Sequence, residues 1–412
     1  MNKPDYDILI VGGGLVGASL ALALARSELR IAIVESQQWR SPSAPAYDDR
    51  TLALAQGSRR IFEAMGLWPA IAEYAGATAI RRIHISDRGR FGIARLDAAD
   101  AGIEALGYVV ETPGLGGALY RALQQVAALE VIAPAAMETL SFTKDMAHVH
   151  VKHNGRDSAL TARLVVGADG GRSQVREAVA IGAHTKDYGQ TAVVANVTPE
   201  QVHDGVAYER FTEDGPLALL PMRDDRCTVV WSVRHHRARA MLALNERLFL
   251  QQLQECFGDR LGQLRRAGRR HGYPLTLTQV DAHIRARVVL VGNAAHTVHP
   301  VAGQGFNLGL RDIAMLSQVL LEALRAGRDI GELGVLAQYM RARQHDTRIV
   351  TGFTDGLIRV FANSLPPLAL ARNIGLITTD LLPPLKRALI RRTSGLAGPL
   401  PRLARGLSLQ EP

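Results

Sequence analysis

Residues 6–25 have the sequence YDILIVGGGLVGASLALALA. It begins with a short apolar run, continues through a glycine triplet, and ends in the apolar, alanine-rich segment 15–25. This order predicts a buried strand, a tight turn and a helix. Residues 30–35 form a second apolar run that ends in an acid, which predicts a parallel neighbouring strand.

The glycines after the first strand have the spacing of a dinucleotide-binding turn. Gly12 permits the tight turn, Gly14 lets the backbone approach a pyrophosphate, and Gly17 lets the helix pack close to the strand. The helix N-terminus then faces the phosphates. Glu35, 18 residues after Gly17, can accept hydrogen bonds from a ribose. The pattern predicts a dinucleotide site and leaves open FAD, NAD or, as the alternative, a turn without a ligand.

Two more segments follow predicted strands and supply further candidate residues. The second motif is GADGGRSQVR at 167–176, in which Asp169 follows the strand. The third motif is VGNAAH at 291–296, continued by HPVAGQGFN at 299–307. Glycines here let the backbone run close to a flat ligand, and the following helix directs its N-terminus at partial negative charge. The candidate ligand-binding residues of the third motif are Gly292, Asn293, Pro300, Gly303, Gln304, Gly305 and Asn307.

The chain between the second and third motifs has a different pattern of apolar and turn residues. Short apolar runs separated by turn residues, from residue 193 to 233, predict an antiparallel or mixed sheet. From about Gly305 the pattern is helical and is interrupted at Pro366-Pro367 and Pro383-Pro384. We therefore predict a discontinuous dinucleotide-binding domain at 1–75, 107–181 and 281–330, a substrate domain at 76–106 and 182–280, and a C-terminal helical region at 331–412.

Composition excludes several classes of protein. At 412 residues, with 47% apolar and 21% charged residues, the chain is globular rather than disordered and long enough for two or three domains or one elaborated domain. Two cysteines are too few for a disulfide framework or a structural zinc site and favour a reducing compartment. We expect no secretory signal and no membrane span, since no run of 18 apolar residues occurs. His296 and His299 lack a third ligand nearby, so no metal site is predicted.

The net charge of +9 is concentrated near the C-terminus. Residues 331–412 hold 11 basic and 5 acidic residues, and leucines alternate with arginines after Pro383. Two interpretations stay open: a solvated pair of terminal helices, or a basic amphipathic segment on anionic lipid. Nucleic acid is disfavoured because residues 383–412 contain no aromatic residue for stacking. A second basic run, at 265–270, predicts a solvated helix face.

The three motifs, in this order over about residues 5–345, resemble the group A flavoprotein monooxygenases, whose best-known member hydroxylates para-hydroxybenzoate. Within that group the chain is most similar to the ubiquinone-biosynthesis hydroxylases. The similarity to their 2-polyprenyl-6-methoxyphenol hydroxylase branch lies in SDRG at 86–89, GQGFNLGLRD at 303–312 and RNIGL at 372–376.

This resemblance implies an α/β fold with a Rossmann-like FAD-binding domain, an inserted mixed or antiparallel substrate sheet and C-terminal helices. It assigns the ADP half of FAD to the first motif and Glu35. It also assigns cofactor contacts to Arg50 and Asp169, and the ribityl chain and pyrimidine edge to the third motif. In two places the chain departs from the family. Asn293 stands where the family usually has Asp, and Thr112 stands where many members have Arg, Gln or Asn.

The resemblance further implies NAD(P)H- and O2-dependent hydroxylation of a polyprenylated phenol in ubiquinone biosynthesis, through a flavin hydroperoxide. The chemistry then belongs to the cofactor, and no side chain is assigned a catalytic role. The alternatives are another ring position, a different small phenol, or a flavoprotein reductase that does not hydroxylate. A second class also stays open: a plain NAD-binding dehydrogenase or a binding subunit without turnover. The expected partners are the phenol, O2 and either an anionic membrane surface or a ubiquinone-biosynthesis complex. We expect a cytoplasmic protein, with a location peripheral to the inner membrane as the alternative.

Overall fold

The computed structural model describes residues 3–38, 46–48, 50–297, 303–361 and 366–410. The strands within these residues are β1 (Tyr6–Val11), β2 (Ile31–Val34), β3 (Thr51–Ala55), β4 (Thr78–Ile80), β5 (Arg82–Asp87), β6 (Ile93–Asp97), β7 (Gly107–Glu111), β8 (Leu129–Ile132), β9 (Ala135–Phe142), β10 (Ala147–His153), β11 (Arg156–Gly167), β12 (Ala183–Pro199), β13 (Val206–Phe211), β14 (Pro216–Pro221), β15 (Cys227–Arg234), β16 (Leu264–Ala267), β17 (His271–Val280), β18 (Ile284–Arg285), β19 (Val288–Leu290) and β20 (His296–Thr297). The helices are α1 (Leu15–Leu24), α2 (Gln56–Ala64), α3 (Trp68–Tyr74), α4 (Thr112–Gln124), α5 (Gln174–Ala178), α6 (His235–Ala243), α7 (Glu246–Phe257), α8 (Gln304–Arg325), α9 (Leu333–Phe361), α10 (Pro366–Leu381) and α11 (Pro383–Thr393).

The first sheet has eight strands, with the central order β18-β19-β11-β1-β2-β8. Strands β19, β11, β1, β2 and β8 run parallel. All four residues of β2 are buried, as expected for a parallel strand covered on both faces. One face packs against α1, α8 and α9, and the other is covered by β9 and β10. The predicted α/β fold class is confirmed.

The second sheet has nine strands in the order β20-β17-β12-β15-β14-β13-β5-β6, with β16 paired to β12. It is mixed, because β13 and β5 are parallel while the other described pairs are antiparallel. Helices α6 and α7 cover one face around Trp231 and Phe249, both fully buried.

The predicted domain boundaries stay a prediction, but the sheets show which strands associate. The nine-stranded sheet draws β5 and β6 from the predicted segment 76–106 and β12 to β17 from 182–280. It also takes β20 from the segment 281–330. A third sheet, β3-β7-β4, joins short strands from both sides of the predicted boundary near residue 76.

The C-terminal region is helical, and both proline pairs lie at helix starts. Helices α10 and α11 begin at Pro366 and Pro383, where a proline's missing N–H costs no intrahelical hydrogen bond. No described helix is both long enough and apolar enough to cross a membrane.

Several apolar side chains of residues 383–412 pack on the rest of the protein. Ile390 is fully buried beside Ile80 and Leu96, and Leu403 and Leu409 lie in the core that contains α1. Much of the apolar content of this segment therefore stabilises the fold and is not available for lipid.

The prediction of a helix at the basic run 265–270 is wrong. Residues 264–267 form strand β16, which pairs with β12. The guanidinium of Arg266 stacks 4.0 Å from the ring centroid of Tyr47, and Arg270 donates a hydrogen bond to the carbonyl oxygen of Leu244. These arginines are used in contacts between segments rather than as a solvated helix face.

Candidate cofactor and substrate site

The three motifs meet at the carboxyl ends of adjacent parallel strands. Val11 of β1 pairs with Val34 of β2 and with Gly167 of β11, and Gly167 pairs with Leu290 of β19. The segments that follow these strands therefore leave the sheet at one edge. In open α/β sheets, ligands bind in the crevice outside this edge.

The glycines of the first turn differ in what surrounds them. Gly12 has φ +104°, and a Cβ there would lie 2.5 Å from the carbonyl oxygen of Ala168. A Cβ on Gly17 would lie 1.9 Å from the carbonyl oxygen of Gly12. A Cβ on Gly14 would meet no described atom within 4 Å. The fold itself thus requires Gly12 and Gly17, whereas Gly14 borders open space at the N-terminus of α1.

The Glu35 carboxylate lies against this turn. Its Oε2 accepts a hydrogen bond from the Gly13 N–H at 2.7 Å, and its Oε1 accepts one from the Gln37 N–H at 2.8 Å. These bonds hold the carboxylate beside the glycine turn, at the end of the neighbouring parallel strand.

Asp169 presents an unsatisfied acceptor at the same edge. Its Oδ2 accepts a hydrogen bond from the Val175 N–H at 3.1 Å. Its Oδ1 is buried and has no hydrogen-bond partner among the described residues. A buried acceptor of this kind is costly unless a ligand or water satisfies it.

Buried Arg176 joins the second motif to the third, a role that the sequence did not indicate. Its Nη1 donates to the carbonyl oxygen of Ala294 at 3.1 Å, and its Nη2 donates to that of Gly171 at 3.0 Å. The guanidinium therefore fixes the turn after β19 relative to the turn after β11.

The third motif begins with a short turn. Gly292 has φ +58° and packs on Val16 of α1, and Asn293 is exposed at the sheet edge. Pro300, like His299, lies outside the described residues. Gly303 has φ +60° at the start of α8, and a Cβ there would lie 3.0 Å from the Cβ of Ala53.

Gln304, Gly305 and Asn307 form the first turn of α8. The Oδ1 of Asn307 accepts hydrogen bonds from the Ala55 N–H at 2.8 Å and the Ser58 hydroxyl at 2.7 Å. Its Nδ2 donates to the carbonyl oxygens of Ala53 at 2.8 Å and Gly303 at 2.6 Å. The amide has thus used its two donors and two acceptor sites within the protein. Its cofactor contact stays a prediction, and the structure gives the side chain a positioning role.

Arg50 and Thr112 lie on the β3 side of the site. The backbone N–H of Thr112 donates to the carbonyl oxygen of Arg50 at 2.7 Å. The Arg50 guanidinium is exposed and lies 6.0 Å from the centroid of the Tyr273 ring. It is therefore free to contact a ligand in the crevice.

A buried cluster of ion pairs joins α8 to α9. The Nε of Arg343 donates to Oδ1 of Asp312 at 2.8 Å, and Asp346 bridges Arg343 to Arg311. Burial alone would raise the pKa of Asp312, but the adjacent Arg343 holds that pKa below its usual range. Burial lowers the pKa of His296, 3.4 Å from Asp312, to about 4, so its ring is neutral at pH 7.

One acidic side chain, Glu209, lies on the sheet face that is turned toward β3. Paired residues of neighbouring strands share a face, and Glu209 pairs with Ala218, which pairs with Val230. Thr228 lies on the same face, two residues before Val230, and its hydroxyl accepts a hydrogen bond from Thr51 of β3 at 2.9 Å.

The Glu209 carboxyl has no hydrogen-bond or ion-pair partner among the described residues. Burial raises its pKa to about 7. Sequence reasoning missed this residue, since one acid in an amphipathic strand is usually solvated. An acid with a raised pKa and no protein partner is a candidate for contact with a ligand.

Comparison with known proteins identifies one family. The family described as FAD binding domain matches residues 5–352. Ubiquinone hydroxylase UbiL of Rhodospirillum rubrum is 39% identical over 98% of this chain and 93% of its own length. The 3-demethoxyubiquinol 3-hydroxylase of Escherichia coli is 32% identical over 96% of this chain and 100% of its own length.

The fold resembles those of solved aromatic hydroxylases. The p-nitrophenol 4-monooxygenase PnpA of Pseudomonas putida superposes with a TM-score of 0.78 at 20% identity, covering 95% of this chain and 99% of its own. The predicted para-hydroxybenzoate-hydroxylase-like fold is confirmed.

Proposed function

The chain belongs to the FAD-binding monooxygenases that include the ubiquinone-biosynthesis hydroxylases, and from this membership we propose that it hydroxylates 2-polyprenyl-6-methoxyphenol. The co-substrates are NAD(P)H and O2. The observation that carries the proposal is the convergence of three motifs and Glu35 at one sheet edge in a chain that matches a ubiquinone hydroxylase along 98% of its length. The choice of the methoxyphenol rests on the three segments at 86–89, 303–312 and 372–376.

The residues at the sheet edge fit FAD. The open space beside Gly14 and the free N–H groups of the first turn of α1 suit a pyrophosphate. We propose that Glu35 bonds the adenosine ribose, and that the unpaired Oδ1 of Asp169 and exposed Asn293 bond hydroxyl groups farther along the cofactor; the position of Glu35 beside the glycine turn supports this. Bound FAD supplies the redox chemistry, in which two electrons from NAD(P)H and one O2 give one oxygen atom in the ring and one in water.

The protein must position the phenol and exclude water from the reacting atoms. We place the ring on the sheet face formed by Ala218, Val230 and Glu209, between that face and the β3 side of the site. The apolar residues of this face exclude water, while the Glu209 carboxylate accepts the proton of the phenol hydroxyl and so makes the ring more electron-rich.

This role for Glu209 predicts a pH dependence. Because its pKa is raised to about 7, kcat/KM should rise as the pH increases through about 7 and the carboxylate forms. Glu209→Gln should lower kcat by about a hundredfold and abolish this rise, while NAD(P)H oxidation continues. The measurement is a pH profile of product formation by the FAD-loaded enzyme.

The matched control is Glu213→Gln, which removes an exposed acid near the end of the same strand and should leave the profile unchanged. If the Glu209→Gln variant keeps the parent's pH profile and rate, this residue does not handle the phenol proton.

The substrate is tested by gene deletion in a ubiquinone-producing host. We expect 2-polyprenyl-6-methoxyphenol to accumulate, as seen by mass spectrometry of the lipid extract, and the parent chain to restore ubiquinone. Accumulation of a different ring intermediate would assign another ring position. A deletion strain with normal ubiquinone would contradict the proposed function.

A further inference from the structure

We propose that the outer face of α10, together with the start of α11, inserts into the headgroup region of an anionic lipid bilayer. Lipid would deliver a polyprenylated phenol to the enzyme, and in that respect the inference rests on the proposed function. The exposed apolar stripe of this surface and the arginines beside it do not depend on the identity of the substrate.

Helix α10 has the reverse of the usual polarity, because its charged residues face the protein. The Nε of Arg372 donates to Oδ2 of Asp87 at 2.8 Å, and both side chains are buried. Asp380 accepts a hydrogen bond from the Arg95 N–H at 2.9 Å. Asn373 is buried and accepts one from the Gly92 N–H at 2.6 Å. Polar contacts therefore anchor this helix to β5 and β6.

The outward face of α10 is apolar. Leu370, Ile374 and Leu381 are 53%, 52% and 71% exposed, and their spacing places them on one stripe of the helix. The other exposed positions described in α10 are Pro367, Ala371 and Gly375, so no exposed position there is charged.

The stripe continues beyond the end of α10. Leu382 and Leu385 are 50% and 45% exposed. Of the 12 large apolar side chains that are exposed among the described residues, five fall between residues 370 and 385. A soluble protein rarely concentrates exposed leucine and isoleucine in this way unless the patch binds a partner.

Exposed positive charge adjoins the apolar stripe. Arg387 and Arg391 are one helical turn apart on α11, and Arg392 is two turns from Leu385. All three are exposed and make no ion pair with a described residue, whereas Lys386 is paired with Asp100 and Asp380. An apolar stripe bordered by free arginines is the arrangement of an in-plane helix on anionic lipid.

Lipid fits this surface better than a protein partner does. Protein interfaces are enriched in aromatic residues that fill pockets and make hydrogen bonds. The exposed apolar residues at 370–385 are all aliphatic, and the stripe offers few hydrogen-bonding side chains. The aliphatic composition and the scarcity of hydrogen-bonding side chains favour contact with the fluid apolar part of a lipid bilayer over contact with a protein.

The test is flotation of the full-length, FAD-loaded protein with vesicles of phosphatidylcholine and phosphatidylglycerol in equal parts. The parent should float with these vesicles at low salt, and should bind much less to pure phosphatidylcholine or at high salt. The triple variant Leu370→Ser, Ile374→Ser, Leu381→Ser should bind at least about a hundredfold more weakly. The variant Arg387→Glu, Arg391→Glu, Arg392→Glu should also lose binding.

The control variant is Leu248→Ser, which removes an exposed leucine of α7 and should bind like the parent. Turnover of a short, soluble phenol analogue should be equal in all these proteins, which separates lipid binding from the proposed function. As a second reporter, fluorescence of Leu381→Trp should shift to the blue when anionic vesicles are added.

Two results would overturn the proposal. One is that the parent does not bind anionic vesicles at low salt. The other is that the α10 triple variant still binds them, or instead abolishes a self-association seen with the parent, which would assign the stripe to a protein contact.

Discussion

Gly14→Val is expected to give a folded protein that contains no flavin. Gly14 has φ −64° and ψ −175°, a conformation open to any residue, and a Cβ there meets no described atom within 4 Å. The valine side chain would instead occupy the space that we assign to the pyrophosphate at the N-terminus of α1. The measurement is the flavin absorbance of the purified protein beside its circular dichroism spectrum.

Two control variants separate ligand binding from folding. Gly17→Val should not fold, because its Cβ would lie 1.9 Å from a backbone oxygen. Gly352→Val adds the same side chain to an exposed helix position with open space around it, and should stay yellow. A Gly14→Val protein that is folded and yellow would place the pyrophosphate elsewhere.

Asp312→Ala is expected to lower the free energy of unfolding by about 3–5 kcal/mol, since it removes one partner of a buried ion pair. Among the described residues, Arg343 would keep Asp346 as its one ion-pair partner, while its own side chain stays buried. The cluster extends through Arg311 to Gln304, so flavin affinity should fall as well. Denaturant unfolding of the parent and the variant measures the loss.

The control is Glu138→Ala, which breaks an exposed ion pair with Lys152 and should cost about 0–1 kcal/mol. The pKa of Asp312 lies below its ordinary value. The contribution of the pair is therefore present above about pH 4 and is lost as the pH falls through the lower, folded pKa. A loss below about 1 kcal/mol for Asp312→Ala would show that the cluster does not stabilise α8.

The sequence was most informative where one residue type is required by local geometry. The spacing of Gly12, Gly14 and Gly17 identifies the strand, turn and helix, because backbone approach excludes any side chain at Gly12 and Gly17. Apolar strands that are buried on both faces were equally clear. The half-exposed strand β9 was missed because its alternation of polar and apolar residues is weak. In β10 the sequence AHVHVKH alternates buried apolar and more exposed polar residues, and this signal could have predicted the strand.

Contacts between distant residues could not be predicted. Arg372 and Asp87 form their ion pair across 285 positions of sequence, and this pair turns the apolar side of α10 outward. The basic run at 265–270 was assigned to a helix because its composition does not show that it pairs with β12. The use of the Asn307 amide inside the protein depends on Ala53, Ala55 and Ser58, which lie about 250 residues earlier.

A turnover experiment under oxygen-18 gas tests whether this flavoprotein hydroxylates the phenol ring. The purified, FAD-loaded protein is supplied with NAD(P)H and a short-chain 2-prenyl-6-methoxyphenol, and the product is analysed by mass spectrometry. We predict a hydroxylated ring that carries one oxygen-18 atom. Consumption of NAD(P)H with an unchanged phenol, and with the label only in hydrogen peroxide or water, would contradict the proposed hydroxylation.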